Sequence, residues 1–308
     1  MVKIKKVRNL VITSFVLFFI SKDSYRIIKG YNYANNVYQK HLKIGNHKEL
    51  IVAHRGLSGL YPDNSFDSIK AAEDSPCVDI IEIDVRMTQN KKIILHHDSF
   101  LNLEDSIIRI EDLSLEEFDD DNPYTVKNYK YYNLLDFTTD DQLFLYQRFL
   151  KKKINLDNLV FLSNVVRNYM FDKPLIVDVK TEYEDLSFME ELDKILKPYQ
   201  NNIYIQSSCY EFLNKMVELY PDYKYLFIVN SKDDIKMQNN QFTGYTVKYN
   251  LLNRINIDND KLYLIYTINS NLKYNNLLNN KNYRDNMYII TDNPDYICAL
   301  SDNKLLRK

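Results

Sequence analysis

Tryptophan is absent from the 308 residues, and the polar tally leans on asparagine, lysine and tyrosine. That bias reflects A- and T-rich coding rather than a chemical role. Surplus charge is missing too, since 40 basic side chains meet 42 acidic ones for a formal net charge of -2. Nucleic acid is therefore excluded as an expected partner, because it calls for a clustered basic face. Cysteine is scarce: Cys77, Cys209 and Cys298 stand far apart, without metal-ligand spacing. An odd number excludes a complete intramolecular disulfide set, and all three are expected to be small buried hydrophobes. No internal repeat occurs, and low complexity is confined to the asparagine-rich stretch Asn275–Asn282. What remains is an ordinary globular balance, 45% hydrophobic and 27% charged. It suffices for one full core and is too short to demand two large domains.

The N-terminal 22 residues read as a segment outside the fold. Lys3, Lys5, Lys6 and Arg8 precede an uncharged run from Asn9 to Ser21 that carries Leu10, Val11, Ile12, Phe15, Val16, Leu17, Phe18, Phe19 and Ile20. A basic start before a short apolar stretch is the layout of a signal peptide or signal anchor. The run falls short of the roughly 20 residues that span a bilayer comfortably. No small-x-small cleavage site follows it. An uncleaved membrane anchor is the expectation, with a cleaved signal or a docked hydrophobic helix as alternatives. Insertion would keep the basic cluster cytoplasmic and put the rest of the chain outside the cytoplasm. Residues 23–48 read as a polar juxtamembrane stretch.

From residue 49 to about 303, short apolar runs alternate with segments of helical period, which argues for βα units and a parallel sheet. The runs are Leu50–His54, Val78–Val85, Ile93–His97, Leu175–Val179, Ile203–Gln206, Tyr225–Val229, Tyr245–Lys248, Leu262–Thr267 and Met287–Thr291. They are one too many for a TIM-type (β/α)₈ barrel, and Tyr245–Lys248, the weakest, is left off it. Asn64 is expected to cap the helix that follows, and Ser114 with Glu117 to form a capping box. The stretch Leu101–Lys173 exceeds an ordinary βα connection. It reads as an insertion after the third strand, whose acidic, tyrosine-rich middle (Asp119–Lys153) is a lid, a specificity loop or decoration.

Four segments place ionisable groups at strand ends, where a barrel keeps its active site. In Ile51-Val52-Ala53-His54-Arg55-Gly56, a histidine and an arginine leave the strand and glycine permits the turn. In Ile81-Glu82-Ile83-Asp84-Val85, both carboxylates point to one side. Such a pair inside a barrel is costly without a cation, and hard oxygen ligands suit Mg²⁺ or Ca²⁺. In Ile94-Leu95-His96-His97-Asp98, alternation aims His97 at the site and His96 at the helix layer. In Leu175-Ile176-Val177-Asp178-Val179-Lys180, Asp178 adds a third carboxylate, and Lys180 on the same face can neutralise a phosphate oxygen.

The order His-Arg-Gly, Pro62-Asp63-Asn64-Ser65, Glu-Ile-Asp-Val, Thr88 and His-Asp resembles the opening region of the glycerophosphodiester phosphodiesterases. Leu113–Phe118, Asp178-Val179-Lys180, Gln206-Ser207, Tyr266–Asn269 and Ile290–Pro294 are similar to later blocks of that family. The resemblance implies a TIM barrel with a bound divalent metal. It implies hydrolysis of a glycerophosphodiester to glycerol 3-phosphate and an alcohol. His54 and His97 would be the acid/base pair, Glu82, Asp84 and Asp178 the metal ligands, and Arg55 and Lys180 the phosphate-binding groups. Three positions depart from the family pattern: Asp178 stands for a Glu, Asp63 for a Glu and Tyr266 for a Trp. The sequence leaves open which histidine is acid, which metal binds, and whether a cyclic phosphate forms. The rival readings are a phospholipase D or C acting on a lipid or cell-wall phosphodiester, and a catalytically inactive binding barrel.

Overall fold

The computed structural model describes residues 49–102, 107–114, 125–126, 157–168, 172–237 and 239–305. The N-terminal anchor or signal, the juxtamembrane stretch, Glu117 of the expected capping box and nearly all of Asp119–Lys153 lie outside them. Among the described residues no helix is long and apolar enough to cross a membrane.

Among the described residues thirteen strands appear in the order β1 Leu50–His54, β2 Ile80–Met87, β3 Ile93–Leu95, β4 Phe100–Asn102, β5 Ile107–Arg109, β6 Thr125–Val126, β7 Asp157–Asn158, β8 Leu175–Val179, β9 Ile203–Ser207, β10 Lys224–Val229, β11 Gly244–Lys248, β12 Leu262–Tyr266 and β13 Tyr288–Thr291. The helices are α1 Phe66–Asp74, α2 Leu162–Asn168, α3 Leu186–Leu196, α4 Tyr210–Leu219, α5 Asn271–Leu278 and α6 Pro294–Leu305. Parallel pairing runs β1-β13-β12-β11-β10-β9-β8-β2, and β2 returns to β1, so eight strands close into a barrel. Closure leaves the eight barrel strands themselves without an edge.

Inward and outward residues alternate as the pleat demands. Val52, Ile80, Ile176, Leu226, Leu264 and Ile290 form one buried cluster inside the barrel. The residues between them, such as Ile51, Ile81, Val177 and Ile265, belong to the larger core beneath the helices. Each fully buried aliphatic side chain contributes roughly 1.5–3 kcal/mol. Two steps along from the interior cluster come His54, Glu82, Asp178 and Tyr266, so the packed plug ends where polar side chains begin.

Four expectations are corrected. Gly244–Lys248 is a barrel strand, seated between β10 and β12. It looked weak because Thr246 and Lys248 sit on its inward face, at a polar mouth that asks for no apolar residue. The surplus run is Ile93–Leu95, which pairs antiparallel with the projecting end of β2 (Val85–Met87 against Leu95–Ile93). It is buried against the outer layer, hence its apolar character. The long segment still follows this third strand of the chain, but it falls between the second and third strands of the barrel. Asn64 does not cap α1: Ser65 does, accepting from the backbone N–H of Ser68 while the Ser68 hydroxyl accepts from the backbone N–H of Ser65. Finally, Cys77 and Cys298 form a disulfide with Cα atoms 5.9 Å apart, which leaves Cys209 as the buried free thiol. Their separation of 221 residues hid the pair from any spacing argument.

Candidate active site

Parallel register assembles the site. It sets His54 of β1 beside Glu82 of β2, and Asp84 of β2 beside Asp178 of β8. Glu82, Asp84 and Asp178 are all buried, with one ligand oxygen from each lying within 4.8 Å of the others. Burial, then the charges of Asp84 and Asp178, push the Glu82 carboxyl well above its usual range. Burial also opposes the charge of Asp84, but Lys180 and Arg55 overcome it and hold that carboxyl well below its usual range.

The two cations are fastened to the cluster. Lys180 Nζ lies 2.6 Å from Asp178 Oδ2 and 3.0 Å from Asp84 Oδ1. Arg55 Nε lies 2.9 Å from Asp84 Oδ2 and its Nη1 3.1 Å from Asp63 Oδ2. Its backbone N–H donates to Glu82 Oε2 at 2.8 Å. Burial works against both charges, and the surrounding carboxylates reverse the balance and raise each cation above its ordinary range.

Asn64 braces the same carboxylate from behind. Its Nδ2 donates to Asp84 Oδ2 at 3.0 Å, and its Oδ1 accepts from the Asp84 backbone N–H at 2.9 Å. Arg55 and Asn64 both take left-handed backbone angles, φ 59° and 60°. Non-glycine residues adopt this region mainly where surrounding contacts over-determine it, and functional sites are the usual place.

His54 Nδ1 bonds Asp292 Oδ1, at the end of β13. A carboxylate only accepts, so Nδ1 carries the hydrogen and Nε2 presents a lone pair. Asp292 is itself held: Asn269 Nδ2 donates to its Oδ2 at 3.0 Å, and its backbone N–H donates to Asn269 Oδ1 at 2.9 Å. Burial, aided by Arg55, lowers the His54 pKa, against the pull of Asp292. His97 is more exposed, bonds Asp98 Oδ1 through Nδ1 at 2.6 Å, and contributes to keeping Asp84 ionised. His96 is buried, its Nε2 3.3 Å from the Phe100 carbonyl. The neighbouring histidines thus stand in different surroundings, although both lie beyond the end of β3 at Leu95 and not on the strand itself.

All seven expected site residues therefore lie at the C-terminal end of the barrel or, for His97, just after the strand that packs on it. Thr88 does not join them; its hydroxyl accepts from the backbone N–H of Lys92 at 3.0 Å and pins the β2–β3 turn. Sequence reasoning gave no site role to Asp292, Asn269, Asn64 or Gln206. Asp292 was findable, standing two residues beyond inward-facing Ile290 at a strand end. Asn64 was mistaken for a cap because capping and bracing use the same amide.

Three buried carboxylates face two cations, and Asp178 Oδ1 is a buried acceptor without a hydrogen-bond partner. An all-oxygen donor set with a residual negative charge fits a hard divalent cation. Glu82, Asp84 and Asp178 are the residues that would hold it.

The profile of the glycerophosphoryl diester phosphodiesterase family matches residues 54–295. An uncharacterised protein of Mycoplasma genitalium is 24% identical over 193 residues, 61% of this chain and 70% of that one. The fold is similar to a glycerophosphodiester phosphodiesterase of Agrobacterium tumefaciens (TM-score 0.57, 13% identity, 81% of this chain and 99% of that chain covered). It is similar to one of Thermotoga maritima (TM-score 0.54, 17% identity, 83% and 100% covered). A phosphodiesterase of Oleispira antarctica, solved with the product sn-glycerol-3-phosphate, has TM-score 0.58 and 17% identity, with 82% and 96% covered. A barrel carrying these residues in this order and a profile match across most of its length lead to one conclusion: the chain belongs to the glycerophosphoryl diester phosphodiesterase family and is a phosphoric diester hydrolase.

Proposed function

We propose that the protein hydrolyses a glycerophosphodiester to glycerol 3-phosphate and an alcohol, with Mg²⁺ or Ca²⁺ held by Glu82, Asp84 and Asp178. The observation that carries this reading is the buried carboxylate triad, whose uncompensated charge lies beside His54 and within reach of His97. A bound divalent cation supplies charge withdrawal from the phosphate as the transition state becomes more anionic. Arg55 and Lys180, set against the same carboxylates, bind and orient the phosphate oxygens. His54 Nε2, with Nδ1 committed to Asp292, accepts the proton of the attacking hydroxyl. His97, nearer solvent, returns a proton to the departing alkoxide. The attacking hydroxyl belongs to water or to the glycerol itself, and the second route passes through a cyclic phosphate. The Oleispira antarctica complex supports glycerol 3-phosphate as the product.

The test is turnover of glycerophosphodiesters by the purified chain, with and without chelator. Loss on chelation and recovery with either ion is expected. Full activity after exhaustive chelation overturns the metal. Asp178→Glu is expected to retain activity. Release of the alcohol bearing the phosphate, in place of glycerol 3-phosphate, would favour a phospholipase C-like reaction instead.

A further inference from the structure

Eight strands surround the mouth, and the carboxylate triad occupies only one side of it, on β2 and β8. Strand β11 stands four places from β2 in either direction round the ring, directly across the mouth. Its inward face is identified by Thr246, which is buried and donates to Gln206 Oε1, while Gln206 Nε2 donates to Asp178 Oδ2 at 3.2 Å. Lys248 lies two residues beyond Thr246, at the last position of the strand, and alternation puts it on the same face. It is exposed, and it has no acidic partner among the described residues.

The neighbours of Lys248 complete a surface. Tyr266 of β12 is its register partner and packs on the interior cluster. Its phenol is desolvated, and its surroundings include the charges of Asp178 and Lys180, so it reaches the site from this side. The Tyr266 hydroxyl donates to Asn230 Oδ1, just past the end of β10. That bond engages the Asn230 amide oxygen, and the NH₂ group is the donor end of the same amide. Three neighbouring strands, β10, β11 and β12, thus end in an amide, an ammonium and a phenol facing the triad across the opening.

We propose that Lys248, Tyr266 and Asn230 form the subsite for the alcohol half of the substrate, and that it takes alcohols carrying an anionic group, a phosphorylated polyol above all. The proposal rests on the phosphodiesterase reading above and deepens it. With the scissile phosphate at the triad, Arg55 and Lys180, the leaving half extends across the mouth toward Lys248. An exposed ammonium with no acidic partner among the described residues attracts a second phosphate or a carboxylate there. It repels a quaternary ammonium alcohol by the same Coulomb term. Tyr266 walls the subsite and positions Asn230.

The experiment compares kcat/KM of the full-length chain, with metal supplied, on glycerophosphoinositol 4-phosphate and on glycerophosphocholine. The variants are Lys248→Glu, Lys248→Gln and Tyr266→Phe. The wild type is expected to favour the anionic substrate by about tenfold, the size of one charge-assisted contact. Lys248→Glu lowers that ratio by about tenfold or more, mainly through KM, and Lys248→Gln lowers it by about half as much on a logarithmic scale. Tyr266→Phe, which frees Asn230, lowers it by about threefold. Thermal melts identify any variant that misfolds, and Lys248→Gln then decides. An unchanged ratio in folded Lys248 variants overturns the subsite while leaving the phosphodiesterase reading intact. Failure of the wild type to cleave either compound overturns that reading as well.

Discussion

The catalytic role proposed for His97 and the structural role proposed for its neighbour His96 can be told apart by substitution. His97→Ala is expected to cut turnover by about 10²-fold or more, the loss typical of a general acid or base. A substrate with a p-nitrophenolate leaving group should recover much of that loss, because it departs without a proton. His54→Ala should show no such recovery, and recovery in His54→Ala with none in His97→Ala would reverse the roles. His96 carries a different expectation. Burial lowers its pKa from 6.5 to about 4 in the folded chain. Between those values the unfolded chain binds the extra proton, so the contribution is complete above pH 6.5 and is lost as pH falls through 4. Its size is of the order of 3 kcal/mol. Urea denaturation at pH 7, 5.5 and 4.5 should therefore show a steeper loss in the wild type than in His96→Asn. Parallel curves would remove His96 from the account. The sequence told the two histidines apart by strand alternation, yet both lie past the end of β3 at Leu95; the bond of His54 to Asp292 was out of its reach, since 238 residues separate the partners.

Backbone approaches side-chain space closely at Gly56 and Gly244. Gly56 has φ 73°, and a Cβ there would lie 2.6 Å from the Ser68 backbone. Gly244 opens β11 with the Leu262 carbonyl directly against it. Gly244→Ala is expected to separate β11 from β12 and destabilise the fold by several kcal/mol, since the obstacle is backbone. A melting temperature within a degree of wild type would refute that. Lys248 and Tyr266 would move with the strands, so anionic-substrate preference should fall together with stability. The Cys77–Cys298 bridge ties the loop before β2 to α6. Reduction, or Cys77→Ser, is expected to cost about 2–5 kcal/mol, read as a melting point lower by roughly 5–15 °C. An unaltered melt under reductant would show that the bridge does not form in the native protein. The sequence identified the strand Leu175–Val179 to the residue because every position but Asp178 is apolar. It misjudged Gly244–Lys248 because a strand facing a polar mouth resembles a loop.

Location belongs to the whole molecule, and we propose a membrane-associated protein with its barrel outside the cytoplasm. The basic cluster ahead of Leu10–Ile20 supports it, as does the Cys77–Cys298 disulfide, which suits an oxidising compartment. The intact chain is expected in the membrane fraction, resistant to salt extraction. Deleting residues 1–22 should release a soluble enzyme with undiminished turnover, because every site residue follows Glu49. A cytoplasm-restricted reporter fused after Lys308 that becomes active would overturn the orientation.

By itself the sequence determined the class of fold, the family and the class of phosphoric diester hydrolase. Alternation at strand ends makes one face of each strand readable, and the carboxylates, cations and histidines gather at those ends. Only the tertiary structure decided which run is a barrel strand, that Asp292 backs His54, that Asn64 braces Asp84, and that Lys248 stands opposite the triad. Each of those facts depends on closing eight strands into a ring. Closure brings β1 against both β2 and β13, and sets β11 across from β2, relations that no local pattern of residues encodes.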